Sequence, residues 1–319
     1  MKPTIPASSS APGNVVAAPD TWRDTCLGLL LRVAAGGWVP ARWFERGLPP
    51  PTARQPAQEP LRLEIVSHCW QYAHLLRYQL SSLVRHPPTR LQVTMTVYYC
   101  PDDTRTTQLL AHVGAITVPN LTWHWCPLPQ AALFRRAIGR NEAALNTQAD
   151  WLWFTDCDLL FEAACLDSLA TALQGRRDAL VFPAVEYCTT LLDPSDSLLQ
   201  VDPDPSTLVT IDHSRFSARR RDRATGPLQI THGDVARACG YCQALPHYQR
   251  PAPRWSKAYE DRAFRWLLRT QGTPLDIPGV YRIRHTDKGR YTSGSPWSRI
   301  RGWIRRSVST VRERNIDKS

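Results

Sequence analysis

The segment Trp151-Leu152-Trp153-Phe154-Thr155 is an apolar run long enough for one buried strand, and it stops abruptly at Asp156-Cys157-Asp158. Strands buried on both faces read as continuous apolar segments, the pattern of a parallel sheet covered on each side. In open α/β sheets ligands bind beyond the carboxyl ends of such strands. Two carboxylates spaced i, i+2 at that point concentrate negative charge where a hard divalent cation can be held through oxygen. The same triplet also suits a turn with a helix-capping aspartate ahead of residues 159–173, so its context must decide.

That context is an alternation of strand and helix patterns. Strands are expected over residues 61–67, 91–99, 115–118, 151–155 and 179–183, with helices over 70–84, 104–112, 134–145 and 163–173. Strands separated by helices at this interval imply a largely parallel sheet flanked by helices, an α/β Rossmann-type architecture. Residues 193–226 are rich in Pro, Asp, Ser and Arg and read as a long excursion over the active face. Helical periodicity returns over 259–268, and short strands are expected over 275–277 and 281–284. The body spans 61–290. Before it, residues 1–20 read as disordered, Asp20 can cap a short amphipathic helix from Thr21 to about Ala35, and a Pro-rich linker runs to residue 60. After it, residues 291–319 form a basic tail.

The formal charge of +11 favours anionic partners. No run approaches the roughly 18 apolar residues of a membrane-spanning helix, and the amino terminus lacks the sustained apolar core of a signal peptide. The nine cysteines are an odd, scattered set, which favours reduced thiols over a disulfide framework. A cytoplasmic location is therefore expected. Cys239-Gly-Tyr-Cys242 has no second ligand pair at zinc spacing and reads as incidental packing.

Several further features keep a particular order. A strand ends in Tyr99-Cys100-Pro101-Asp102-Asp103-Thr104, and Gly139-Arg140-Asn141 sits ten residues before the apolar strand. Asp156-Cys157-Asp158 follows, then Tyr259-Glu260-Asp261-Arg262 opening a helix, and His285 lies 24 residues beyond Asp261. Over roughly residues 61–290 this series resembles the bacterial family 2 glycosyltransferases of GT-A fold. The resemblance implies transfer of a sugar, such as a hexose, from a nucleotide-sugar donor to an acceptor hydroxyl, with inversion and with a divalent metal, Mn²⁺ or Mg²⁺. It implies a metal site at Asp156, Asp158 and His285, with Asp156 also a ribose or outer contact. Asp102, Asp103, Arg140 and Asn141 would meet the nucleoside or diphosphate. Asp261 would be the base, and Glu260 would position the loop or the acceptor. The sequence departs from that family after the first strand, where His68-Cys69-Trp70 replaces small residues, and after the second, where Asp-Asp-Thr stands for Asp-Gly-Ser.

Each of these residues also has a plainer role available. Asp102-Asp103 suits a turn after Pro101, Arg140-Asn141 an exposed helix face, and Glu260-Asp261 the positive end of a helix. His285 suits a surface position among Arg282 and Arg284. Trp297, Ile300, Ile304, Val308 and Val311 recur at helical spacing among arginines, which fits either an anionic membrane surface, at the inner face with a lipid-linked acceptor, or packing on the body. The acceptor is otherwise a saccharide. A sugar nucleotidyltransferase would carry an early Gly-rich phosphate loop, which is not found. A nucleic-acid partner would account for Arg219–Arg223 but not for the ordered carboxylates, and no nucleic-acid motif is present. A non-catalytic nucleotide-sugar-binding relative fits the same residues.

Overall fold

The computed structural model describes residues 22–57, 59–200, 206–255 and 259–286. The expected disorder of 1–20 and the tail helix over 297–319 lie outside these residues. In chain order the body runs β1 (Leu61–Cys69), α2 (Ala73–Arg85), β2 (Leu91–Tyr99), α3 (Thr104–Gly114), β3 (Leu121–Pro127), α4 (Gln130–Leu133), α5 (Arg136–Asn146), β4 (Trp151–Phe154), β5 (Leu159–Phe161), α6 (Cys165–Leu173), β6 (Leu180–Pro183), β7 (Val185–Thr189), β8 (Phe216–Arg220), β9 (Gln229–His232), α7 (Gly233–Cys239), α8 (Glu260–Leu267), β10 (Thr273–Leu275) and β11 (Val280–Arg282). It is preceded by α1 (Trp22–Val33).

The central sheet has seven strands in the order β10-β6-β9-β4-β1-β2-β3. All of its pairings are parallel except those of β9, which runs antiparallel to both β4 and β6. A second sheet of four strands, β5-β11-β7-β8, lies beyond the end of β4. The architecture is the α/β one expected, a mainly parallel sheet flanked by helices. Among the described residues no helix is long and apolar enough to cross a membrane.

The apolar run is β4 itself, and all four of its residues are buried. Trp153 anchors it: the ring is fully buried, donates from Nε1 to the Pro227 carbonyl at 3.0 Å, and meets Phe161 edge-on at 5.0 Å. Trp153→Ala should therefore cost about 3–5 kcal/mol, the usual range for emptying a large aromatic site. A urea unfolding midpoint indistinguishable from the parent's would show that the neighbours refill the space.

Three local expectations need correction. Residues 115–118 are not a strand; they form the turn after α3, and β3 begins only at Leu121. Pro119 and Asn120, the latter at φ 58°, turn the chain there, while Ile116 is held by its carbonyl accepting from Trp123 Nε1 at 2.9 Å. Residues 159–161 form a strand, so Asp158 leads into β5, and the alternative of a capping aspartate ahead of a helix over 159–173 does not hold, while α6 falls within the expected 163–173. The expected excursion over 193–226 carries β8, which pairs antiparallel with β7, and β9 and α7 follow where no element is expected before 259. These short elements owe their stability to tertiary pairing, which local periodicity does not record.

Residues 22–57 dock on the body. Arg32 stacks over the Tyr259 ring at 4.3 Å, Arg262 donates to the Ala35 carbonyl at 3.1 Å, and Trp266 Nε1 donates to the Val39 carbonyl at 2.9 Å. The Pro-rich stretch is held likewise, through buried Arg54 donating to the carbonyls of Pro49 and Arg177.

Candidate active site

The chain leaves β4 at Phe154 and enters a short loop that buried side chains hold tightly. Gln79, reaching across from α2, donates to Thr155 Oγ1, the Asp156 carbonyl and the Leu159 carbonyl at 3.2, 3.0 and 2.9 Å. The Thr155 amide continues the sheet by donating to the Val66 carbonyl at 2.9 Å. Asp156 and Asp158 are thus set on a rigid frame at the carboxyl end of a central strand.

The two aspartates face different partners. The Ile283 amide donates to the Asp158 carbonyl at 3.0 Å, which fastens the end of β11 to the loop. Two residues on, His285 comes back over it, with Nε2 3.9 Å from Asp158 Oδ2. His285 is 4% exposed and packs edge-on against Tyr72 at 5.3 Å, so it is not the surface histidine its arginine neighbours allow. Asp156 instead turns to cations: Arg136 pairs with its carboxylate, and Arg140 reaches the same oxygen at 3.3 Å. The three residues expected to share a metal are therefore neighbours, but only Asp158 and His285 face each other. Among the described residues no three His, Cys, Asp or Glu side chains converge as a metal-ligating group.

Arg140 is fully buried, donating to Tyr241 Oη at 2.9 Å and the Thr155 carbonyl at 3.0 Å. It orients Asp156 from behind and has no surface to offer a nucleotide. The cation that faces the recess is Arg136, one turn earlier on the same helix. Burial works against its charge, but Asp156 and then Glu260 outweigh that cost and hold the guanidinium above its ordinary pKa. Sequence reasoning missed Arg136, although its i, i+4 spacing from Arg140 places both on one side of α5.

Glu260 is 2% exposed, 3.3 Å from Arg136 Nε and within 3.3 Å of the Ala137 amide, so it closes the chain Asp156–Arg136–Glu260. Asp261 points elsewhere, against Gly226 and 3.8 Å from Arg265. Its side chain is 33% exposed, but it does not line the recess. Asp103 is buried and caps α3, accepting from Thr106, and also accepts from the Gln71 amide at 2.6 Å. Asp102 beside it is exposed.

Asn141 is buried and structural as well. Its Oδ1 accepts from the Tyr241 amide at 2.9 Å, and its Nδ2 donates to Gln243. The chain passes so close that a Cβ on Gly240 would lie 2.2 Å from Asn141 Oδ1, at φ +60°. Gly240→Ala should cost roughly 2–4 kcal/mol from overlap and backbone strain together. Thermal unfolding of that variant near the parent temperature would show that the segment can shift. Cys239 and Cys242 are both buried, the first with its thiol pushed up to about 12 by burial, and act as packing.

The recess between these groups holds about 100 Å³ and is lined by His68, Trp70, Tyr72, Arg136, Asp156, Asp158, Trp255 and His285 among others. His68 stands near the end of β1. Burial, reinforced by Arg140 and Arg136, lowers its pKa well below the usual imidazole range, so it is neutral at pH 7. Larger hollows of about 610 and 530 Å³ open near the amino ends of the strands, far from any convergence of these charges. The smaller recess is the functional candidate because it sits at the carboxyl ends, where backbone and charge converge.

No protein-family model matches the sequence, and no curated protein matches it. Solved structures that align with it include a mannosyltransferase from Pyrobaculum calidifontis in complex with GDP-Man and Mn²⁺. It is 17% identical over 91% of this chain and 76% of that one, at a TM-score of 0.42. S. aureus TarS, residues 1–349, aligns at 13% identity over 70% of this chain and 60% of that one, at a TM-score of 0.40.

Proposed function

We propose that the chain is a GT-A-type glycosyltransferase, of the family 2 kind, that moves a sugar from a nucleotide-sugar donor to an acceptor hydroxyl with inversion. The observation that carries this reading is the Asp158–His285 pair beside the Asp156–Arg136–Glu260 chain at the carboxyl end of β4. A carboxylate oxygen and an imidazole nitrogen 3.9 Å apart suit a divalent cation, Mn²⁺ or Mg²⁺, which Asp158 and His285 would hold. When bound, that cation offsets the negative charge growing on the leaving diphosphate.

The chain's own groups supply the rest. Arg136 presents a fixed positive charge to the diphosphate, and Asp156, itself held by Arg136 and Arg140, accepts from the ribose. Asp102 is the freer of the adjacent acids for the nucleoside, since Asp103 caps α3. The recess is smaller than the roughly 300–1,000 Å³ of enclosed ligand sites, so most of the donor lies along the surface outside it. In the transfer, the acceptor oxygen bonds to the anomeric carbon as the bond to the diphosphate breaks. Asp261 takes the hydroxyl proton, and Glu260 positions α8 through Arg136. The odd, scattered set of nine cysteines suits free thiols in a reducing, cytoplasmic setting. The basic segment 297–319 adds contact with an anionic membrane, where a saccharide or lipid-linked acceptor is met.

One observation favours a second reading. Asp261 turns away from the recess, toward Gly226 and Arg265, as a non-catalytic binding relative would permit. A thermal-shift panel of UDP-, GDP- and dTDP-sugars with and without Mn²⁺ tests donor binding, because selective binding raises apparent stability. Release of nucleoside diphosphate in the presence of acceptor then separates the two readings: the enzyme turns the donor over, and the binder only shifts its melting temperature. No metal-dependent shift with any donor would refute both.

A further inference from the structure

Helix α1 turns its apolar stripe outward. Residues 22, 26, 29, 30 and 33 share one side of it at helical spacing, and Trp22, Leu29, Leu30 and Val33 are all more than half exposed. The opposite side does the packing: Leu31 is buried, Asp24 pairs with Arg250 at 3.7 Å, and Gly28 lies against His247. Beyond the helix, Trp38 and Trp43 stand out of the surface at 84% and 65% exposure, with Phe44 at 40%. So large a run of apolar side chains left in water marks an interaction surface.

Among the described residues 22–46, the charges that face outward are positive. Arg23, Arg32, Arg42 and Arg46 are exposed, while the two acids of the segment are turned inward: Asp24 to Arg250, and Glu45, 6% exposed, to the Gly47 amide at 2.7 Å. Tryptophan beside arginine, with no outward carboxylate, is the composition that settles at a lipid–water boundary and is drawn to acidic headgroups. Pairing of this patch with a second copy would bring the two arginine rims together, which like-charge repulsion opposes.

We infer that residues 22–46 form a membrane-docking face, with Trp22, Leu30, Trp38 and Trp43 entering the interfacial region of an anionic bilayer and Arg23, Arg42 and Arg46 meeting its headgroups. The inference concerns residues 22–46 and stands whether or not the chain transfers sugars.

The test is co-sedimentation of the full chain with phosphatidylcholine vesicles, with and without phosphatidylglycerol, in the absence of any nucleotide sugar. The parent should sediment with the anionic vesicles and less so as salt is raised. Trp38→Ser/Trp43→Ser should weaken partitioning by about tenfold or more, because each ring buries a large apolar area. Arg42→Gln/Arg46→Gln should weaken it on anionic vesicles alone. Both doublets change exposed side chains, so an unchanged melting temperature confirms that each variant is folded. Parent protein left in the supernatant would overturn the inference, as would tryptophan variants that sediment like the parent, which would place any binding elsewhere. A vesicle-free dimer abolished by Trp38→Ser/Trp43→Ser would overturn it in favour of a second copy.

Discussion

Asp158→Ala is expected to remove the metal-dependent part of nucleotide-sugar affinity while leaving the fold intact. Asp158 offers one of the two protein groups that face each other across 3.9 Å, and no third His, Cys, Asp or Glu stands ready among the described residues to replace it. A site with so few protein ligands depends on each of them, so the loss should reach at least about 100-fold. The loop itself should hold, because its anchors are backbone groups of Thr155, Asp156, Asp158 and Leu159 rather than the Asp158 carboxylate. His285→Ala should act in the same direction. Asp156→Ala should differ: it strips Arg136 and Arg140 of their shared partner and lowers stability as well as donor affinity. Donor titrations at several Mn²⁺ concentrations, beside thermal melts, resolve these cases. Equal metal-dependent affinity in folded Asp158→Ala and parent would remove the metal assignment.

Asp261→Asn is expected to lower transfer by about 10²–10⁴-fold with little change in donor binding or stability, the range for loss of a general base. The substitution keeps the side chain's size and removes its capacity to accept a proton. A carboxylate serving only the helix end and Arg265 would cost about 0.3–1 kcal/mol and leave turnover alone. Glu260→Gln is the necessary companion, and the structure makes its signature different. Glu260 is buried while Arg136 is only part-buried and keeps Asp156 as a partner, so losing the Glu260 charge should destabilise the protein by roughly 1–3 kcal/mol. Turnover near normal in Asp261→Asn, with a folded but inactive Glu260→Gln, would move the base to Glu260. Normal turnover in both would take this helix end out of the chemistry. For Asp261 to act, it must approach the acceptor from its present place beside Gly226, and a KM raised by Gly226→Ala would locate the acceptor there.

The α/β class and the elements with strong periodicity are legible in the amino-acid order alone. The boundaries of β2 match the expectation residue for residue, and β4, with its terminal carboxylates, stands where the apolar run placed it. Such strands are legible because burial on both faces demands a continuous apolar run whatever their partners are. Some short elements were not legible: β5 and β9 have three and four residues, too few to set a period, and they exist through the strands beside them. Which acids face which cations follows from long-range packing. Nothing local distinguishes Asp156 from Asp158, yet α5 delivers Arg136 and Arg140 to the first, and the end of β11 brings His285 to the second. Arg140 and Asn141 read equally well as exposed contacts, but close packing of Gly240 and Tyr241 turns both into internal supports. A charged side chain's role depends on what desolvates it and what pairs with it, and both are set by residues about a hundred positions away in the chain.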